Sequence, residues 1–292
     1  MKELTGTGVA LITPFNSDLS IDHKALAALV EFNITNGVDF LVVSGTTGES
    51  VTITSDEKKD ISQTVIAANK GRVPLVIGIG GNNTSAVVDE IKSTDLSNFT
   101  AILSVAPYYN KPTQEGFYQH FKAIAKSTTT PIILYNVPGR TAKNVKPSTV
   151  LRLATDFKSI VAVKEAGNNM NQYLELIKNK ANDFLVISGD DDLVLGVTLA
   201  GGAGVISVIG QAFPKEFSTM INHGLQGNNK EGYDIHFKLM NVVDSIFEEN
   251  NPAGIKTVLQ GLNICSNSVR LPLVKTSAGL SSKIAEFVDN LK

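Results

Sequence analysis

The 292-residue chain has no tryptophan, one cysteine and four histidines, and it lacks any long apolar run. Each absence removes a class of chemistry. A single cysteine, Cys265, forms no internal disulfide and fits a reducing compartment. His23, His120, His223 and His236 do not fall at metal-binding spacings and read as residues of helix surfaces. No window approaches the roughly 20 apolar residues of a membrane span, and Met1 to Gly6 lacks the apolar stretch of a signal peptide. Nor does one charge dominate: 26 basic residues stand against 28 acidic ones, a formal net charge of −2. That balance gives no reason to expect nucleic acid or an anionic membrane as a partner. No P-loop or Gly-x-Ser-x-Gly elbow occurs, and Gly78 to Asn83 misses the dinucleotide fingerprint because its final glycine is absent. The expectation is a cytoplasmic protein with neither nucleic-acid nor membrane partners.

What the chain does contain is a repeating alternation. Short apolar, β-branched runs are separated by longer segments of helical period. The strand-like runs are Val9 to Phe15, Phe40 to Ser44, Leu75 to Ile79, Ala101 to Val105, Ile132 to Tyr135, Ile160 to Ala166, Phe184 to Ile187 and Val205 to Ile209. Asp22 caps the first helix, which stops at Gly37, and the second begins near Ser55. Continuous apolar strands alternating with helices mean a parallel sheet covered on its outer face, and eight such units predict a (β/α)8 barrel. A doubly wound open sheet is the rival arrangement. From Pro214 to Leu262 the pattern is helical, with Phe237, Met240, Val243 and Phe247 at three- and four-residue spacing, and a last helix runs from about Ser281 to Leu291. The expected organisation is therefore a barrel over residues 1–212 and a C-terminal helical extension over 213–292, packed on it.

Lys164 stands in the sixth apolar run, Ile160-Val161-Ala162-Val163-Lys164-Glu165-Ala166. Period-two geometry puts it on the same strand face as Ala162. An ammonium in an apolar interior loses hydration, which favours the neutral amine, and a neutral amine can form a Schiff base with a carbonyl. The plainer reading is a lysine that reaches solvent at a strand end or pairs with Glu165.

In a barrel, reactive groups belong at the C-terminal ends of strands. Gly45-Thr46-Thr47-Gly48-Glu49-Ser50 follows the second strand and offers a backbone concavity suited to a carboxylate or phosphate, or else simply turns the chain. Pro107-Tyr108-Tyr109-Asn110 and Tyr135-Asn136-Val137-Pro138-Gly139-Arg140 end the fourth and fifth. A tyrosine hydroxyl there can relay protons, and Arg140 can clamp a carboxylate. Packing and a solvated loop are the ordinary alternatives. Gly189, in Ser188-Gly189-Asp190, leaves room for substrate or turns the chain.

Taken together these segments, with Val163-Lys164-Glu165-Ala166, closely resemble the dihydrodipicolinate synthase family. The likeness runs from Thr13-Pro14 to Arg270-Leu271-Pro272. The wider family includes N-acetylneuraminate lyase and keto-deoxy sugar acid aldolases. The resemblance implies a class I aldolase-like lyase that condenses pyruvate with L-aspartate 4-semialdehyde to 4-hydroxy-tetrahydrodipicolinate, on the route to lysine. By that likeness Lys164 forms the imine, and Tyr135, hydrogen-bonded to Thr46, shuttles protons on to Tyr109. Thr47 holds the pyruvate carboxylate, Arg140 clamps the semialdehyde, and Gly189 and Ile206 line the pocket. The family tyrosine at position 109 crosses from a neighbouring subunit, which implies a homodimer or homotetramer. An imine mechanism of this type needs no cofactor and no metal. A sugar-acid lyase of the same family, or a barrel that binds without catalysis, are the other readings.

One departure bears on regulation. Lysine-sensitive members carry histidines after the Gly-Glu-Ser turn and a glutamate on the third helix. Ser55, Lys58 and Ala86 fall at those places, while Asn82 and Tyr108 match the pattern. A lysine beside a lysine ligand repels its ammonium, so the chain is expected to be insensitive to lysine.

Overall fold

The computed structural model describes residues 1–291; Lys292, the last residue of the expected extension, lies outside them. Eight strands pair in chain order, all parallel, and close into a barrel when β8 meets β1. They are β1 (Gly6–Ala10), β2 (Phe40–Val43), β3 (Leu75–Gly78), β4 (Ala101–Val105), β5 (Ile132–Asn136), β6 (Ile160–Glu165), β7 (Leu185–Ser188) and β8 (Gly204–Ser207). Between them run α1 (His23–Thr35), α2 (Ser55–Asn69), α3 (Thr84–Ser93), α4 (Gln114–Ala125), the short α5 (Pro138–Thr141), α6 (Pro147–Asp156), α7 (Met170–Asn179) and α8 (Val194–Leu199). After β8 come α9 (Pro214–Gln226), α10 (Asn229–Glu248), α11 (Ala253–Gly261) and α12 (Ala278–Leu291). The closed barrel excludes the open doubly wound sheet. No helix among the described residues is long and apolar enough to cross a membrane.

Local chemistry sets the helix starts. Asp22 caps α1 by accepting the Ala25 N–H at 2.8 Å. Thr54 and Glu57 form a reciprocal capping box on α2, and Pro147 opens α6, where its missing N–H costs nothing. Packing then divides the strand residues between two cores. Phe40, Val42, Leu103, Ile133, Ala162, Ile187 and Ile206 fill the barrel, whereas Leu41, Val43, Ile132, Leu134 and Val163 face the helices. This inward and outward alternation is what makes a barrel interior a packed core with a usable rim. α9 packs against β1 and β8 and covers the barrel there, while α10, α11 and α12 pack on one another beyond it.

Three sequence expectations are corrected. The first strand is Gly6–Ala10, not Val9 to Phe15. Gly6-Thr7-Gly8 carries no apolar alternation, yet a Cβ on Gly8 would lie 2.2 Å from the Phe40 ring, so that ring occupies the space a side chain would fill. Downstream the chain leaves the sheet, because Ile12 N–H donates to the Gln211 side chain at 2.9 Å and Pro14 has no N–H to give. His120 and His236 are buried, not on helix surfaces; His120 Nδ1 sits 2.8 Å from Thr84 Oγ1, and burial pushes its pKa down to about 4. On α10 the helical spacing holds, but Phe237 is 67% and Phe247 43% exposed, and Leu239, Val242, Val243 and Ile246 form the buried face.

Gly8→Val tests the close approach. The added side chain overlaps the Phe40 ring and is expected to cost about 1–3 kcal/mol by overpacking, read as a lower denaturation midpoint. Phe40→Leu in the same chain should restore part of the loss. An unchanged midpoint for Gly8→Val would contradict this packing.

Candidate active site

Strand register brings the reactive groups together. Lys164 on β6 pairs in register with Tyr135 on β5 and Ile187 on β7, so three consecutive strands direct these residues into the top of the barrel. Lys164 is 5% exposed, and its Nζ lies 4.6 Å from the centroid of the Tyr135 ring. Gly189 is necessary to this packing: a Cβ there would stand 2.8 Å from Lys164 Cε and 2.6 Å from Ala166 Cβ. The room that glycine provides is thus for the lysine's own side chain.

Desolvation lowers the Lys164 pKa to about 8, with the negative charges of Asp191 and Asp190 holding it up and the charge of Arg140 pressing it further down. Lys164 makes no salt bridge among the described residues. Glu165 is not its partner. It points to the opposite face, where its carboxylate accepts from Asn136 Nδ2 at 2.9 Å and Gln172 Nε2 at 2.8 Å. With only neutral donors around it, burial pushes Glu165 up to about 7. Asp191 is also buried, and its Oδ2 accepts the N–H groups of Val208 at 3.0 Å and Ile209 at 2.9 Å. Burial still pushes it up to about 6. At neutral pH a large share of the Lys164 amine is therefore positive, but a fraction near one tenth is neutral and nucleophilic.

The turn after β2 brings two hydroxyls to the same place. Gly48 N–H bonds Gly45 O at 3.1 Å, Glu49 N–H bonds Thr46 O at 3.0 Å, and Thr13 Oγ1 donates to Gly48 O at 2.7 Å. Thr46 is half-buried, and its hydroxyl faces Tyr135 closely enough to favour the charged form of the phenol. Burial raises the Tyr135 pKa, and the positive charge of Arg140 followed by the Thr46 hydrogen bond brings it part of the way back. Thr47 Oγ1 accepts from Asn251 Nδ2 at 3.0 Å, and Arg140 Nη2 donates to Asn251 O at 3.2 Å. Arg140 itself is exposed on α5, which Pro138 starts directly after β5.

These side chains surround a cavity of about 650 Å3 lined by Thr46, Thr47, Tyr135, Arg140, Lys164 and Gly189. Two predicted residues are elsewhere. Ile206 is fully buried in the barrel interior, and Val208 lines the cavity in its stead. Tyr109 is 89% exposed, with φ 68°, and does not line the cavity. Sequence reasoning missed the contribution of the C-terminal helices: Val243, Asp244, Phe247, Glu248, Asn250 and Asn251 form one wall. The only signal was the polar break Glu248-Glu249-Asn250-Asn251-Pro252 between two helical patterns. Among the described residues, no group of three or more His, Cys, Asp or Glu side chains is placed to hold a metal ion.

Over residues 3–291 the sequence matches the dihydrodipicolinate synthetase family. The chain belongs to that family. Members of the dihydrodipicolinate synthetase family similar to it include the 4-hydroxy-tetrahydrodipicolinate synthase of Flavobacterium psychrophilum, 55% identical across 100% of this chain and 99% of the relative. Among solved structures, the dihydrodipicolinate synthase of Aquifex aeolicus superposes with a TM-score of 0.95 at 38% identity, covering 99% of this chain and 98% of that one. The Acinetobacter baumannii dihydrodipicolinate synthase, a chloride-inhibited form crystallised with pyruvate, gives 0.95 at 33% identity over 98% of both chains.

The Lys164 titration is directly measurable. In 13C-lysine-labelled protein, with Lys164→Arg for assignment, the Lys164 Cε signal is expected to titrate with a midpoint near 8. Asp191→Asn removes the anion that most favours the ammonium, so it should move that midpoint lower. A midpoint at the ordinary lysine value of about 10.4 would contradict the desolvated site.

Proposed function

We propose that this protein condenses pyruvate with L-aspartate 4-semialdehyde to give 4-hydroxy-tetrahydrodipicolinate. The observation that carries the proposal is the convergence of one buried lysine with Tyr135, Thr46, Thr47 and Arg140 on a single cavity. Membership of a lyase family of class I aldolase type, and the name its relatives carry, support the substrate pair.

In the proposed reaction the neutral Lys164 amine attacks the pyruvate ketone, and loss of water gives an imine. The protonated imine draws electrons from the methyl group, which becomes an enamine as its proton passes to the Tyr135 oxygen and Tyr135 hands its own hydroxyl proton on towards Thr46. The enamine carbon attacks the aldehyde, whose oxygen takes up a proton. The amine of the second substrate then adds to the imine carbon and displaces Lys164, which regenerates the free amine and closes the ring. Thr47 donates its hydroxyl proton to the pyruvate carboxylate while its oxygen still accepts from Asn251 Nδ2, and Arg140 takes the semialdehyde carboxylate with paired N–H donors. Tyr135 passes protons through Thr46 to Tyr109. Since Tyr109 is exposed and outside its own cavity, it serves the site of a second copy, in a homodimer or homotetramer. Ile206 supports the floor from below.

We also propose that lysine does not inhibit. Lys58 Nζ is held at 2.9 Å from Glu90 Oε1, half-buried, beside a small cavity of about 340 Å3 that also touches Ser50, Tyr108, Thr46 and Tyr135. Glu90 neutralises part of the charge, but Ala86 offers a ligand ammonium no counter-charge.

Steady-state kinetics with both substrates test the function. Arg140→Ala is expected to raise KM for the semialdehyde roughly 30-fold or more, the equivalent of about 2 kcal/mol for a lost charged contact, with KM for pyruvate little changed. Cleavage of N-acetylneuraminate without condensation activity would favour the sugar-acid lyase and overturn the substrate assignment. In the same assay millimolar lysine should leave the rate within experimental error; inhibition at that level would overturn the regulatory proposal.

A further inference from the structure

A second lysine is buried more completely than Lys164 and has no part in the reaction above. Lys256, on α11, has no exposed surface. Its Nζ donates to Glu49 Oε1 at 2.5 Å and to Ser268 O at 2.8 Å, and it lies 4.1 Å from the centroid of the Phe15 ring. Glu49 is 2% exposed, and its other oxygen accepts the Arg270 N–H at 3.0 Å. The carboxylate is thus gripped twice by the C-terminal segment, in a space closed to water.

Glu49 belongs to the turn that carries Thr46 and Thr47. It adopts φ 56°, a left-handed conformation that side chains other than glycine avoid, and its N–H closes the turn onto Thr46 O. Five residues before Lys256, Asn251 bonds Thr47 on the other side of the same turn. One C-terminal segment therefore clamps the turn at two points, one neutral and one ionic. A dry ion pair at an ordinary structural position gains little over apolar packing, whereas this one grips a residue three places after Thr46, whose hydroxyl faces Tyr135.

We propose that Lys256 is a positioning residue for the reaction: through Glu49 it holds the Thr46 and Thr47 hydroxyls in register with Tyr135 and with the pyruvate carboxylate. This inference deepens the function proposed above and rests on it. Its effect is on alignment, so it shows in kcat and in KM for pyruvate, and in the Tyr135 titration that the Thr46 hydrogen bond lowers.

The test uses Glu49→Asp, which keeps the charge but shortens its reach, and the neutral pair Glu49→Gln with Lys256→Met, which leaves no uncompensated charge. Active sites are counted by borohydride trapping of pyruvate on Lys164, and kcat is expressed per trapped site. Both proteins are expected to lose at least tenfold in kcat per trapped site, to bind pyruvate more weakly, and to show a pH profile displaced to higher pH. Unchanged kcat per site, pyruvate KM and pH profile in either folded protein would overturn the proposal and leave the pair a purely structural contact. Wild-type protein that traps no pyruvate would instead overturn the proposed function itself, and this inference with it.

Discussion

The burial of one primary amine is the constraint on which the rest of the site depends. Lys164 is largely shielded from water by the barrel walls and by the chain just after β7, where only glycine at position 189 leaves space for the lysine side chain. Desolvation favours the neutral amine, while the buried carboxylate of Asp191 favours the ammonium. The balance places the titration about one unit above neutral pH, where a fraction of the amine is neutral and available as a nucleophile. A lysine fully paired with a carboxylate would stay charged and would not be nucleophilic.

The second dependence is on the helices after the barrel. The sheet sets the positions of Lys164 and Tyr135 through strand register, but Thr46 and Thr47 lie on a turn, and a turn needs outside support. Asn251, Lys256 and Arg270 supply it from the far end of the sequence. Arg270 also reaches Glu57 and the Thr52 carbonyl, so the start of α2 belongs to the same assembly. Losing one member of a buried ion pair costs about 3–5 kcal/mol because the other charge is stranded. The C-terminal helices are therefore joined to the site by chemistry as well as by apolar contact.

Much of this was legible in the sequence where the relevant interaction is local. Apolar runs at regular spacing gave the number of strands, and the period-two pattern around Lys164 placed it on the inner face beside Ala162. The strand that was misplaced is the one whose side chains are missing: Gly6 and Gly8 give way to neighbouring groups, and no pattern within the segment reports that. Phe237 and Val243 share a helical spacing, yet one is exposed and the other buried, because the face that packs is chosen by partners distant in the chain. Asn251 and Lys256 were invisible for the same reason. Each meets its partner across more than 200 residues, and a lysine in a helix next to a proline reads as solvated until the carboxylate that receives it is known.

The most direct test of the account is intact mass after borohydride reduction with and without pyruvate, followed by peptide mapping. The account predicts a single reduced pyruvate adduct per chain, located on Lys164, with Lys256 unmodified. An adduct on another lysine, or none in protein shown to be folded, would contradict it.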